Sequence, residues 1–546
     1  MLNSKLTIMK KIKLTKYLLA AALAFSVSSC HDDLDLLPND PDIITENAVF
    51  ANPSQAKYAL AKVYATLAVT GQVGAAGDPD IQGVDEGASQ FTRSLFTLNV
   101  VTTDEAIVGW GDPGLPNMHA MTWGANNSFI EGMYYRLANT VSFANSFIKN
   151  AQGLAETSPE VKEYIAEARF IRAYAYYNLM DLYANVPLVT EISNDLPTQS
   201  NRQEIFTFVE SELLDIQNSL NQGRNEYGRV DKVAAYALLS RLYLNAESWI
   251  NQAKYTESIT YSNLALESSY TLHTTDVNGN GTAYDELFLA DNDSNGAQNE
   301  FIFALNFDGN NSKTYGGSTF LVKAAIGGTM SPADYGVNGG WGGPRSTKAL
   351  VSKFQTSETD ADGLPIAWAD KRALFYTDGQ TYEINSVSKF NEGYAVTKFS
   401  NKKSNGTNGN DATGEFVDTD VPVIRVAEIY LNYAEAVLRG GNGGNIGTAL
   451  NYINQLRTRA YGNTSGNITQ SELTLDFILD ERSRELYWEG TRRTDLIRYN
   501  KFVTGYNWPF KGDVPGGTSV SDIRKLFPIP LNIIAINPNL TQNPGY

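Results

Sequence analysis

From Pro159 onward, apolar residues return every three or four positions. Tyr164, Ala168, Ile171, Ala175, Leu179 and Leu182 fall on one face of a helix. Ser158 stands before them as an N-cap, Pro159 takes the first helical position, and Glu160 lies in the first turn. Asn185-Val186-Pro187 closes the segment. The same period recurs over about 54–69, 128–150, 202–220, 231–247 and 254–268, and again over about 422–439, 446–460 and 473–489. Small residues (Ala166, Ala168, Ala173, Ala175, then Ala234, Ala235, Ala237) stand where neighbouring helices approach closely. The pattern predicts a mainly α fold of tetratricopeptide-like helical hairpins, although the full repeat consensus is absent.

Residues of about 270–420 break that rhythm. They are loaded with Gly, Asn, Asp and Ser, as in Asp276–Gly281, Asp308–Ser312 and Gly336–Gly343. Short apolar runs such as Phe301–Leu305 read as strands. The expectation is one unit over 54–546, with a helical scaffold (54–268 and 421–546) supporting a loop-rich insertion. Long loops of this kind tend to carry function.

The chain has 546 residues and a net charge of −17, so a nucleic-acid partner is not expected. Three His and the single Cys30 exclude a Cys-rich zinc site and a disulfide framework. Residues 1–29 carry five Lys and no acid, then an apolar run from Tyr17 to Val27 too short to span a bilayer comfortably. Met9 is an alternative start to Met1. Val27-Ser28-Ser29-Cys30 resembles a bacterial lipobox, which makes 1–29 a lipoprotein signal and Cys30 the lipidated first residue. Residues 30–53 then form a tether, and acidic Asp32, Asp33 and Asp35 resemble a surface-export signal. Loss of 1–29 removes five positive charges and takes the net charge to −22. Several acyl chains on one residue anchor firmly, at about 0.8 kcal/mol per buried methylene.

Four segments together resemble the SusD/RagB family of outer-membrane nutrient-binding lipoproteins. They are Ala166–Leu179, Val423–Ala436, Glu481–Gly490 with Arg492 and Asp495–Arg498, and the tail from Phe527-Pro528-Ile529-Pro530 to Gln542–Tyr546. Val69–Gln72, Asp85–Gly87, Thr103–Glu105, Leu289–Asp293 and Tyr315–Val322 are similar to the starch-binding branch of that family. The resemblance implies tetratricopeptide-like helices under a loop-rich ligand face. It also implies capture of an α-glucan (starch, maltooligosaccharides) without catalysis, at a surface-exposed, lipid-anchored position on the outer membrane. The implied partner is a SusC-like TonB-dependent transporter.

A sugar ring offers C–H faces and a rim of hydroxyls, so a shallow site needs aromatic platforms with polar groups around them. Trp110, Tyr315 and Trp341 sit in Gly-rich surroundings. From the residues alone each is a buried loop anchor or an exposed platform. By resemblance all three match an aromatic arc around a starch helix, and Arg93 matches a hydrogen-bonding Arg. The starch-binding pattern has an Asn three residues past the first Trp. This chain has Pro113 there, which leaves that rim contact to Asp112 or Asn117. Tyr174, Tyr176, Tyr177 and Trp488 are expected to pack in the scaffold.

Asp291–Gly296 follows half of a calcium loop, but Ile302 stands at the twelfth position, where an EF-hand needs Glu. By resemblance a structural Ca2+ falls in this neighbourhood, with Asp291, Asp293 and Asn295 as ligands and Asp420 or Asp418 as a remote carboxylate. The charged run Asp480–Glu489 contains acids that a glycoside hydrolase might pair as acid and base. The i,i+4 pair Asp480/Arg484 points instead to an ion-pair lattice between helices. A surface hydrolase, or a binder of a different glycan, remains the alternative.

Overall fold

The computed structural model describes residues 46–71, 73–75 and 79–546. The chain divides into two units, Met1–Ala56 and Lys57–Tyr546. The signal, Cys30 and most of the tether lie outside the described residues. The larger unit contains everything that follows.

Its helices form a continuous stack. The main ones are α1 (Pro53–Ala68), α2 (Phe91–Asn99), α3 (Ser128–Ala155), α4 (Pro159–Tyr183), α5 (Arg202–Ile216), α6 (Lys232–Ile250) and α7 (Tyr255–Leu266). After the insertion come α9 (Val426–Leu438), α10 (Ile446–Tyr461), α11 (Leu475–Leu486) and α12 (Arg492–Arg498), and the insertion carries α8 (Gly317–Lys323). Each of α3 to α7 packs on the next, and α7 packs on α9, so the stack resumes across the insertion. The caps follow the sequence. The Ser158 side chain accepts from Val161 N–H, and Asn201 and Glu204 form a capping box on α5. Tyr174, Tyr176 and Tyr177 are buried in α4, and Trp488 is 3% exposed.

The helix expected from 422 begins only at Val426. Val421–Arg425 is a strand, paired antiparallel with Phe301–Leu305. A second short pair, β1 (Ile107–Val108) with β3 (Pro344–Arg345), joins the N-terminal half to the insertion. Strands Phe301–Leu305 and Val421–Arg425 are β2 and β4.

A lattice of buried ion pairs ties the insertion to the C-terminal helices. Glu485 of α11 meets Arg425 at 2.6 Å, Arg372 at 3.0 Å, and Arg459. Glu300 meets Arg425 at 2.9 Å and Arg459 at 2.7 Å. Glu481 pairs with Arg372, Arg457 and Arg484, and Glu489 with Arg425 and Lys398. The expected Asp480/Arg484 pair does not form. Arg484 turns to Glu481, while Asp480 reaches Lys353 at the surface. Burial alone raises the Glu481 carboxyl, but Arg372, Arg484 and Arg457 outweigh it and hold it at about 2. Carboxylates so held do not serve as general acids.

Breaking such a lattice leaves buried charges unpaired. Glu485→Gln is expected to cost about 3–5 kcal/mol, and Asp480→Ala under about 1 kcal/mol, read as shifts in the denaturant midpoint. Because the Glu481 carboxyl is depressed, its contribution is complete above about pH 4.5. It is lost as the pH falls toward about 2.

Candidate functional site

The β1–β3 pairing brings the two Gly-flanked tryptophans together. Trp110 leaves the end of β1 and Trp341 enters the start of β3. Gly109 N–H donates to Gly343 O at 3.2 Å, and the Trp110 indole N–H donates to Trp341 O at 3.1 Å. A Cβ on Gly343 would come within 2.4 Å of the Trp110 ring, so only glycine permits this approach. The Trp341 loop is fixed from below by α8. The N–H groups of Trp341, Gly342 and Gly343 donate to Lys323 O, Ile326 O and Ala324 O, each at 2.8 Å. These carbonyls lie at and just beyond the end of α8, where helical partners run out.

Tyr315 stands immediately before α8, with its ring centroid 6.4 Å from that of Trp341 and the two planes 55° apart. Phe320 of α8 underlies Trp110 at 6.3 Å, edge to face. The Arg93 guanidinium, from α2, lies 5.7 Å from the Trp110 centroid and 5.0 Å from that of Phe320. Burial lowers the pKa of Arg93 from its usual value, against the opposing pull of the Asp85 and Asp112 carboxylates. Lys323 is buried, 5.7 Å from the Trp341 centroid, and pairs with Glu415 at 2.9 Å.

Trp110, Tyr315, Trp341 and Arg93 are all partly exposed, and Asp112 is fully at the surface. The rings are therefore not sealed anchors; they line an open face. Pro113 is exposed, and the Asn117 side-chain amide donates to Thr122 at 3.0 Å. Asp112 is thus the rim group beside Arg93, whereas Asn117 is occupied elsewhere.

One buried glutamine holds three parts of the site, and its only signal in the sequence is its place just before the α2 helix. The Gln90 Oε1 caps α2 by accepting from Arg93 N–H at 3.0 Å, and also accepts from Gly317 N–H at 2.8 Å beside Tyr315. Its Nε2 donates to Leu67 O at 2.9 Å on α1. The turn before β1 is anchored in the core. Asp104 is clamped by Arg492, and Glu105 accepts from Trp488 N–H at 3.0 Å.

The proposed calcium ligands do not form a cation shell. Both Asp291 oxygens accept from Ser404 N–H, and Oδ2 also accepts from its hydroxyl at 2.6 Å. Asp420 accepts from Phe307 N–H and the Tyr227 hydroxyl, each at 2.7 Å. Asp418 accepts from Gly309 and Asn410 N–H groups. Asn295 accepts from Ala297 N–H at 2.9 Å, and the exposed Asp293 carboxylate from the Ser294 hydroxyl at 2.8 Å. Among the described residues no three His, Cys, Asp or Glu side chains gather as a metal requires. Hydrogen-bond donors thus fill the role that spacing and resemblance assigned to Ca2+.

This fold and this open aromatic face define a scaffold-supported surface-site protein rather than a pocket enzyme. Residues 299–546 match the family described as the SusD family, and residues 116–244 match one described as "Starch-binding associating with outer membrane". The chain is 34% identical to the starch-binding protein SusD of Bacteroides thetaiotaomicron, over 98% of this chain and 100% of that protein. It is 24% identical to a SusD-like protein of Bacteroides ovatus, over 75% of this chain and 72% of that one. Surface glycan-binding protein A from Bacteroides fluxus shares the fold, with a TM-score of 0.67 at 21% identity, covering 90% of this chain and 99% of that one. The protein belongs to the SusD family.

The anchor beneath Trp110 is testable through its proton. Burial raises the Glu105 carboxyl to about 8, with Asp104 adding to the rise and Arg492 opposing it. The folded state then holds a proton that the unfolded chain releases near the ordinary value of about 4.3. Stability from this group therefore falls as pH rises from about 4 to 8 and levels off above that. Glu105→Gln keeps the acceptor and removes the titration. Its melting temperature relative to wild type is expected to climb across pH 5–8.

Proposed function

We propose that this protein captures starch or maltooligosaccharides at the cell surface, without cleaving them, and passes them to a TonB-dependent outer-membrane transporter. The observation that carries the reading is the convergence of Trp110, Trp341 and Tyr315, from separate stretches of chain, on one open face. Successive ring planes are tilted, as between Trp341 and Tyr315 at 55°. A tilted series suits the curved outer face of an α-glucan better than a flat β-linked ribbon. Arg93 and Asp112 at the rim supply a donor and an acceptor for sugar hydroxyls. The SusD relative, named for starch binding, supports the same ligand.

The non-catalytic reading rests on the acids. The carboxylates of α11 are locked in ion pairs, and the relatives are named as binding proteins. Attachment is assigned to a lipid on Cys30. Among the described residues no helix is long and apolar enough to cross a membrane.

Trp341→Ala is expected to abolish retention in a starch-containing native gel while leaving the melting temperature within a few degrees of wild type. Retention equal to wild type would sink the assignment of the rings. Incubation of the wild-type protein with maltoheptaose is expected to leave it intact by chromatography. Shorter products would make the protein a hydrolase.

A further inference from the structure

A fourth ring adjoins the platform, and neither spacing nor resemblance marks it. Phe416 is partly exposed, and its centroid lies 5.3 Å from that of Tyr315, with planes 43° apart. Tyr315 is therefore a middle ring, with Trp341 on one side and Phe416 on the other. The tilt from ring to ring is similar at both steps, 55° and 43°. The exposed Lys313 places its ammonium 5.7 Å from the Phe416 centroid.

The loop holding Phe416 is built in advance. A single buried carboxylate, Asp411, accepts from the N–H groups of Thr413 at 2.9 Å, Glu415 at 3.0 Å and Phe416 at 2.9 Å. It also accepts from the Thr413 hydroxyl at 2.8 Å. The same loop is fastened to the one that carries Trp341. Asn338 N–H donates to Gly414 O at 3.0 Å, its side-chain amide donates to Glu415 at 3.0 Å, and Glu415 pairs with Lys323 beside Trp341. Phe416 and Trp341 thus move as one piece, and little ordering is left to do when a ligand arrives.

We propose that the glucan platform continues from Tyr315 onto Phe416, so that the site grips a longer run of glucose units than three rings hold. Lys313 then offers a donor to hydroxyls at that end. The proposal rests on the glucan reading above. Phenylalanine has no polar atom, so its contribution is stacking alone, and it is felt only by chains long enough to reach it.

The test is titration calorimetry on the full chain with maltotriose and maltoheptaose. Phe416→Ala is expected to weaken maltoheptaose about 3- to 10-fold, the range of one aromatic contact, and maltotriose less than about twofold. Phe416→Leu keeps the bulk that packs the loop but loses the flat face, and is expected to behave like Phe416→Ala. Phe416→Tyr is expected to bind both sugars as wild type does. If Phe416→Ala and Phe416→Leu bind maltoheptaose normally while Trp341→Ala does not, the platform ends at Tyr315 and this proposal falls alone. If both sugars weaken equally and Phe416→Leu restores them, Phe416 is only a prop for its neighbours, and the proposal again falls. If the wild-type protein binds neither sugar, the glucan reading itself is lost.

Discussion

Arg425 sits at the junction of three parts of the chain. It closes β4, starts α9, and points its guanidinium at Glu300, Glu485 and Glu489. Arg459 and Arg372 share Glu485 with it, and Arg372 reaches Asp370 within the insertion at 2.7 Å. All of these side chains are essentially dry. Desolvating so many charges costs more than a surface pair ever returns, so the cluster holds only while nearly every charge keeps its partner. That demand fixes the insertion against α10 and α11 in one register. Loops rich in Gly and Asn have little apolar surface of their own, and a helix stack alone would leave them many arrangements. The lattice selects one of these, and the β2–β4 pairing sits directly on it.

The ring face inherits that rigidity by a short route. Trp110 hangs on β1, whose preceding turn is held by Asp104 on Arg492 and by Glu105 on the backbone of Trp488. Trp341 rests on the end of α8, and Tyr315 on its beginning. Phe96 of α2 meets Phe320 of α8 at 5.3 Å and Trp488 at 5.0 Å, which links the floor of the site to the core. A loop-borne site placed this way has the reach of loops with the precision of the scaffold. Gln90 is the clearest case. One amide ties α1, α2 and the Tyr315 turn, so losing it would strand several buried polar groups at once.

The legibility of each feature in the sequence follows the distance over which it is determined. Helix periodicity and caps are local, so Ser158, Asn201 and the α4 stripe read directly. The start of α9 does not, because Val421–Arg425 is an apolar run continuous with the helix, and its strand partner lies more than a hundred residues away. Ion partners fail for the same reason. The spacing of Asp480 and Arg484 is visible, whereas Arg372 and Arg425 approach α11 only through tertiary folding. Flanking glycines single out Trp110 and Trp341. Phe416 hides beside Val417 and reads as the start of a buried strand. The calcium reading fails differently. Asp291 and Asp293 have the right types at the right spacing, but spacing does not reveal that Ser404 occupies the Asp291 carboxylate and that Ser294 reaches that of Asp293.

A neutral glucan feels none of the long-range field that a net charge of −17 creates, so the acidic surface neither draws it in nor repels it. The charges beside the rings are accordingly matched with one another, Lys323 with Glu415, and Arg93 with Asp85 and Asp112. Their part is to hold the rings at fixed tilts and to present hydrogen-bonding groups at the rim. Capture then depends on shape. Each sugar–ring contact is weak, and several act together only if their curvature exists before the polymer arrives. The buried ion lattice, far from the sugar face, is what makes that prior curvature possible.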